Sequence, residues 1–79
     1  MTRIFEIADG VHVKIVEVLP YRTLSGRRKY LVAYKLVKGA RETPVGHFVM
    51  SEGDKLEDHV ARIREYFAKY RGEIERVMR

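Results

Sequence analysis

YRTLSGRRKYLVAYKLVKGAR, residues 21–41, decides both the fold class and the charge distribution of this chain. Its second half holds Lys29–Lys38, KYLVAYKLVK, whose side chains alternate. Tyr30, Val32, Tyr34 and Leu36 fall on one face of an extended strand; Leu31, Ala33, Lys35 and Val37 fall on the other. Its first half, YRTLSGRR, has Ser25-Gly26 near its centre and reads as an exposed, mobile, basic loop. Gly39-Ala40 turns the chain where the strand ends.

The same window holds seven basic residues and no acid: Arg22, Arg27, Arg28, Lys29, Lys35, Lys38 and Arg41. The nine basic residues elsewhere face eleven acids, so the rest of the chain carries −2 and the window +7. Charge of one sign gathered in one loop and one strand predicts a surface for a polyanion. Arginine forks onto phosphate and lysine supplies a mobile point charge. Tyr21 and Tyr30 add rings on which unstacked bases can lie. Against this stand two plainer uses. Surface lysines and arginines also keep a small protein soluble, and the Tyr30–Leu36 face is equally the pattern of a core face.

Outward from the window, two β-rich runs precede it. Arg3–Ala8 (RIFEIA) and Val11–Leu19 (VHVKIVEVL) are separated by Asp9-Gly10, a strong hairpin signal. A two-residue type I′ turn sets Ala8 opposite Val11, Glu6 opposite Val13 and Ile4 opposite Ile15. One face then reads Ile4, Ala8, Val11, Val13 and Ile15, with Glu6 among them. Beyond Ile15 the alternation slips, because Val16 and Val18 are both apolar. Either a bulge near Ile15-Val16 or cover on both faces accounts for it. Pro20 removes a ladder donor and closes this strand. On the far side of the window, Thr43–Met50 (TPVGHFVM) is a fourth strand. Pro44 at its start fits a sheet edge, and Gly46 marks a weak point or a bulge.

The rest predicts one helix over about 54–78. Asp54 and Glu57 make a capping-box pattern, acids occupy the first turn, and Arg76 and Arg79 occupy the last. Leu56, Val60, Ile63, Phe67, Tyr70, Ile74 and Val77 recur in steps of four and three, a narrow seam. Gly72 inside it costs roughly 1 kcal/mol relative to alanine. Such a helix spans about 39 Å at 1.5 Å per residue, whereas an eight-residue strand covers about 27 Å. Its last two turns therefore overhang, and Phe67, Tyr70, Ile74, Val77 and Met78 form a stripe that calls for a partner. That partner is either the N-terminal hairpin or a second copy.

Chemistry leaves few marks. Seventy-nine residues make one domain, which buries about 60% of its unfolded surface. Without cysteine there is neither a disulfide nor a thiolate site. His12, His47 and His59 lie on different elements in no zinc-ligand spacing, so neither a metal nor another cofactor is expected. No phosphate-loop or nucleophile-elbow motif surrounds Gly26, Ser25 or Ser51. No apolar run reaches the ~20 residues of a membrane span, and the N-terminus lacks a signal-peptide core, which predicts a cytoplasmic protein. Asn, Gln, Cys and Trp are absent while charge is abundant, a pattern of heat-adapted and archaeal proteins.

The sequence thus predicts an α+β domain in β-β-β-β-α order, an antiparallel sheet of about four strands with one long helix on one face. The strands followed by a helix are similar to the second half of a double-stranded RNA-binding domain. That family's basic cluster at the start of its last helix is absent, since Asp54-Lys55-Leu56-Glu57-Asp58 stands there. The expected function is non-enzymatic binding of nucleic acid, RNA (ribosomal RNA included) ahead of DNA, through the basic window. A protein-interaction module that homodimerises through the helix seam is the alternative, and a metal-independent ribonuclease the third.

Overall fold

The computed structural model describes residues 3–79. Strands β1 (Arg3–Ala8), β2 (Val11–Arg22), β3 (Arg28–Lys38), β4 (Arg41–Glu42) and β5 (Gly46–Ser51) precede helices α1 (Leu56–Lys69) and α2 (Arg71–Val77). The sheet is antiparallel throughout and runs β1-β2-β3. The outer side of β3 is shared. Its C-terminal end pairs with β4 and its N-terminal half with β5. The expected fourth strand, Thr43–Met50, is corrected: Thr43–Val45, including Pro44, lies outside any strand and links the two-residue β4 to β5, which alone covers the rest of that span.

Two bulges set which side chains face the helices. In β2 the register shifts between Ile15 and Glu17. Val11, Val13 and Ile15 face the core before the shift, and Val18, paired with Val32, takes that side after it. The slip in alternation is thus a bulge at Val16. In β1 a second shift lies between Glu6 and Ala8. It corrects the expected register: Ala8 does oppose Val11, but Glu6 opposes His12 and Phe5 opposes Val13. Phe5 and Ile7 therefore pack on the core, and Ile4 lies exposed on the helix-free face. The turn differs too. Gly10 has positive φ (73°) but Asp9 does not, so Asp9-Gly10 is not a type I′ turn.

The core lies between this face and the helices. Val11, Val13, Ile15, Val32 and Leu36 meet Val60 and Phe67 from α1 and Met78 beyond α2. Tyr30 and Tyr34 pack partly buried against it, so the Tyr30–Leu36 face is the one the helices cover. The period-2 pattern thus served a core, which outweighs stacking wherever a face can bury apolar area.

The single long helix is corrected to two. Tyr70, at φ −119° and ψ 30°, leaves helical geometry between α1 and α2. Fourteen residues of α1 cover about 21 Å. Beyond the break, Met78, 4% exposed, is in the core. Arg79 then exchanges two backbone hydrogen bonds with Glu42 (2.8 and 2.9 Å), tying the chain beyond α2 to β4. Phe67 and Met78 of the expected stripe are thereby covered by the protein's own sheet, and Ile74 in part. Nor does the capping box form. Lys55 is the N-cap, without a side-chain cap bond, and Asp54 Oδ2 accepts from Ser51 N at 2.8 Å instead.

Candidate nucleic-acid interface

β2 and β3 stay paired out to Arg22↔Arg28, so the hairpin carries strand geometry right up to its loop. Pairing places Arg22 and Arg28 side by side on the helix side, and Tyr21 and Lys29 side by side on the other. The loop, Thr23–Arg27, is closed by its own bonds. Thr23 N donates to Arg27 O (2.9 Å), Gly26 N to Thr23 O (2.9 Å) and Arg27 N to Thr23 Oγ1 (3.2 Å). Arg22 Nη1 donates to Gly26 O at 3.1 Å. Gly26 sits at φ 85°, where a side chain would be strained. A loop read as mobile from its composition therefore has a hydrogen-bonded turn that projects Arg27 and Arg28 outward.

Arg22, Arg27, Arg28 and Lys29 border one concavity of about 500 Å³, which Ser51 and Glu52 complete. Lys29 Nζ donates to Ser51 Oγ at 2.5 Å. Arg22, Arg27 and Arg28 form no ion pair among the described residues, so their charge is available to an anion. Pro20, Tyr21 and Tyr30 line a neighbouring concavity of about 430 Å³, which shares Arg22 and Arg28 with the first. Tyr21 is exposed. Tyr30 rests on the core with one side and borders this hollow with the other.

The other three cations of the window lie at the opposite end of β3 and are occupied. Lys35 Nζ meets Glu42 Oε1 at 2.8 Å, and Lys38 pairs with Glu75. Arg41 Nη2 donates to the carbonyls of Glu75 (2.6 Å) and Met78 (3.3 Å), closing the C-terminal end of α2. Both carboxyls respond: a hydrogen bond from Lys35 holds Glu42 below the ordinary carboxylate range, and one from Lys38 does the same for Glu75. The seven candidate cations thus divide into four that converge around the loop and three that hold the fold together.

Of the five residues of the expected self-association stripe, Phe67 and Met78 are buried in the chain's own core and Ile74 is partly buried against it. Tyr70 and Val77 remain exposed.

Ser51 and Glu52 were not among the residues singled out from sequence. β3–β5 pairing brings them there, through Lys29↔Ser51, and the signal was the Gly39-Ala40 turn, since Lys29 and Ser51 are equally far in sequence from Ala40. Ser51 is steadied by Asp54, whose Oδ2 also lies 3.3 Å from His59 Nε2. The bond from Ser51 N, then that of His59, holds the Asp54 carboxyl below its ordinary range. His59 in turn stacks on Phe48, ring centroids 4.9 Å apart and planes within 10°. This chain of contacts staples β5 to the start of α1. Among the described residues no three of His, Asp and Glu converge on a point that could hold a metal ion. Among the described residues no helix is long and apolar enough to cross a membrane.

Comparison with known protein families, with curated proteins and with solved structures finds no match to this chain.

Proposed function

We propose that this protein binds nucleic acid through the β2–β3 hairpin end, with Arg22, Arg27, Arg28 and Lys29 on the phosphates. The observation that carries this is the convergence of these four cations on one concavity with a single acid, Glu52, on its border. An adjoining hollow lined by Tyr21 and Tyr30 gives the same surface room for a base beside the phosphate. RNA is favoured over DNA on this footing. The cations form a compact cluster rather than a stripe, which suits the bends and unpaired bases of folded RNA better than a long duplex groove. Lys35, Lys38 and Arg41 are left out of the contact, since they lie at the other end of β3, where Glu42 and Glu75 pair with the two lysines and α2 carbonyls hold the arginine. Catalysis is no part of the proposal; the hairpin end binds.

The test is anisotropy of labelled stem-loop RNA across a salt series. Four phosphate contacts predict an affinity that falls roughly 50- to 150-fold between 50 and 200 mM salt. A salt-insensitive association, or none at the low-salt end, would sink the proposal.

A further inference from the structure

A second surface lies at the other end of the molecule, away from the basic hairpin. Between the two helices and the β4–β5 link runs a groove of about 510 Å³. Its floor is Tyr34 and Leu36, its walls Ile63 and Tyr66 on α1 and Ile74 and Val77 on α2. It exists because of two features already described. The break at Tyr70 turns Ile74 and Val77 alongside the sheet, and Gly46 has no Cβ where the tip of Tyr34 lies, 3.0 Å from the place one would occupy. Tyr66 is 59% exposed and Val77 52%. These walls therefore offer apolar area that the fold leaves uncovered.

The groove continues over Thr43, Pro44 and Val77 into a second hollow of about 610 Å³, bordered by Lys35, Arg76 and Arg79. Its acid, Glu42, is already paired with Lys35. The side chains of Arg62, which borders the apolar half, and of Arg76 and Arg79 form no ion pair among the described residues. The Tyr34 hydroxyl likewise has no hydrogen-bond partner among them. Burial raises its pKa, so it stays a neutral donor facing the groove. An apolar trough thus opens into a cationic one.

We infer that this groove docks a short acidic peptide segment of a partner protein: an apolar anchor over Ile63, Ile74 and Val77, and neighbouring Asp or Glu side chains on Arg76 and Arg79. Charge decides the occupant. A second copy docking by two-fold symmetry would set Arg62, Arg76 and Arg79 of each protomer against the same surface of the other, in a chain already at +5. An acidic segment supplies the missing sign and the apolar cover together. The inference stands apart from nucleic-acid binding at the hairpin and survives its failure.

The experiment is display selection of random dodecapeptides on the whole chain. Anisotropy of the most enriched peptide, labelled, then follows against the wild type and three variants. The expected consensus is an aliphatic or aromatic residue within a few positions of two or more acids. Val77→Asp should weaken binding at least tenfold. Arg76→Glu with Arg79→Glu should weaken it as much and remove most of its salt dependence. Arg27→Glu with Arg28→Glu should leave it within twofold. All five substituted residues are exposed, and circular dichroism melts confirm folding. Enrichment without acids, or a peptide that Val77→Asp and the Arg76/Arg79 pair leave bound, overturns the inference. So does competition by single-stranded oligonucleotide at the same site, or a wild-type dimer that Val77→Asp abolishes in sedimentation.

Discussion

The two ends of β3 carry the same kind of side chain and use it in opposite ways. At the N-terminal end, Arg28 and Lys29 join Arg22 and Arg27 around an open concavity, with one acid at its border. At the C-terminal end, Lys35 and Lys38 meet Glu42 and Glu75, and Arg41 closes α2. Sequence spacing cannot separate the two, since both lie in one acid-free window. The difference comes from what returns to each end. The hairpin end receives only Glu52, whereas β4 brings Glu42, and the broken helix Glu75 and free carbonyls, onto the far end. A cation's role is set by where the chain's acids arrive in space, at distances where Coulomb attraction still matters.

The strongest way to break this contrast is to reverse charge at each end separately. Arg27→Glu with Arg28→Glu should lower RNA affinity by roughly two orders of magnitude and leave the melting temperature nearly unchanged, read by anisotropy and calorimetry. Lys38→Glu should do the reverse: a small change in affinity but a lower melting temperature, because Glu75 then faces a like charge. Equal loss of affinity from both would abolish the distinction.

Next in size is Met78→Ala. Truncating this buried side chain should cost about 2–5 kcal/mol. In a domain this small each kcal/mol lowers the melting temperature by about 4–8 °C. Hydrogen exchange should locate the loosening at β4 and α2, with the Thr23–Arg27 turn unaffected. Protection lost evenly from both ends would mean that they do not open separately.

A smaller effect is acid dependence. Glu42 and Glu75 have carboxyls depressed in the folded protein, so their contribution is complete above the unfolded carboxylate range and is lost as pH falls through the folded values. The melting temperature should therefore be level from pH 7 to about 5 and fall below about 4. Glu75→Gln should flatten that fall. An unchanged acid profile in Glu75→Gln would show that the pair contributes nothing at the far end. Smallest is Gly72→Ala. A Cβ there meets nothing within 4 Å in a helical position, so alanine should stabilise by about 0.5–1 kcal/mol.

Much of the sheet was legible because period-2 alternation and Asp9-Gly10 are local signals. Val16 announced its bulge by breaking the alternation. The bulge near Ile7 gave no such sign, since Ile4 and Phe5 are both apolar and either register looks plausible. The helix break was hidden for a similar reason. The steps of four and three continue across Tyr70, and only Gly72 hints at weakness. The break goes with the seating of Met78 in the core, a tertiary contact that no window of sequence contains. The basic cluster was half legible: Arg22, Arg27, Arg28 and Lys29 are adjacent along a hairpin, so they converge by strand pairing alone. The partners of Lys38 and Arg41 lie more than thirty residues away and depend on that same bend.

The bulge at Val16 has one more consequence, for length rather than for side chains. Ile15 stays opposite Tyr34 and Glu17 opposite Ala33, so Val16 is surplus to the ladder. Deleting it leaves every other residue of the hairpin facing its present neighbour. Removing Lys14 or Val18 instead would throw part of a strand out of step. This chain can therefore be shortened by one residue at that position at less cost than anywhere else in β2.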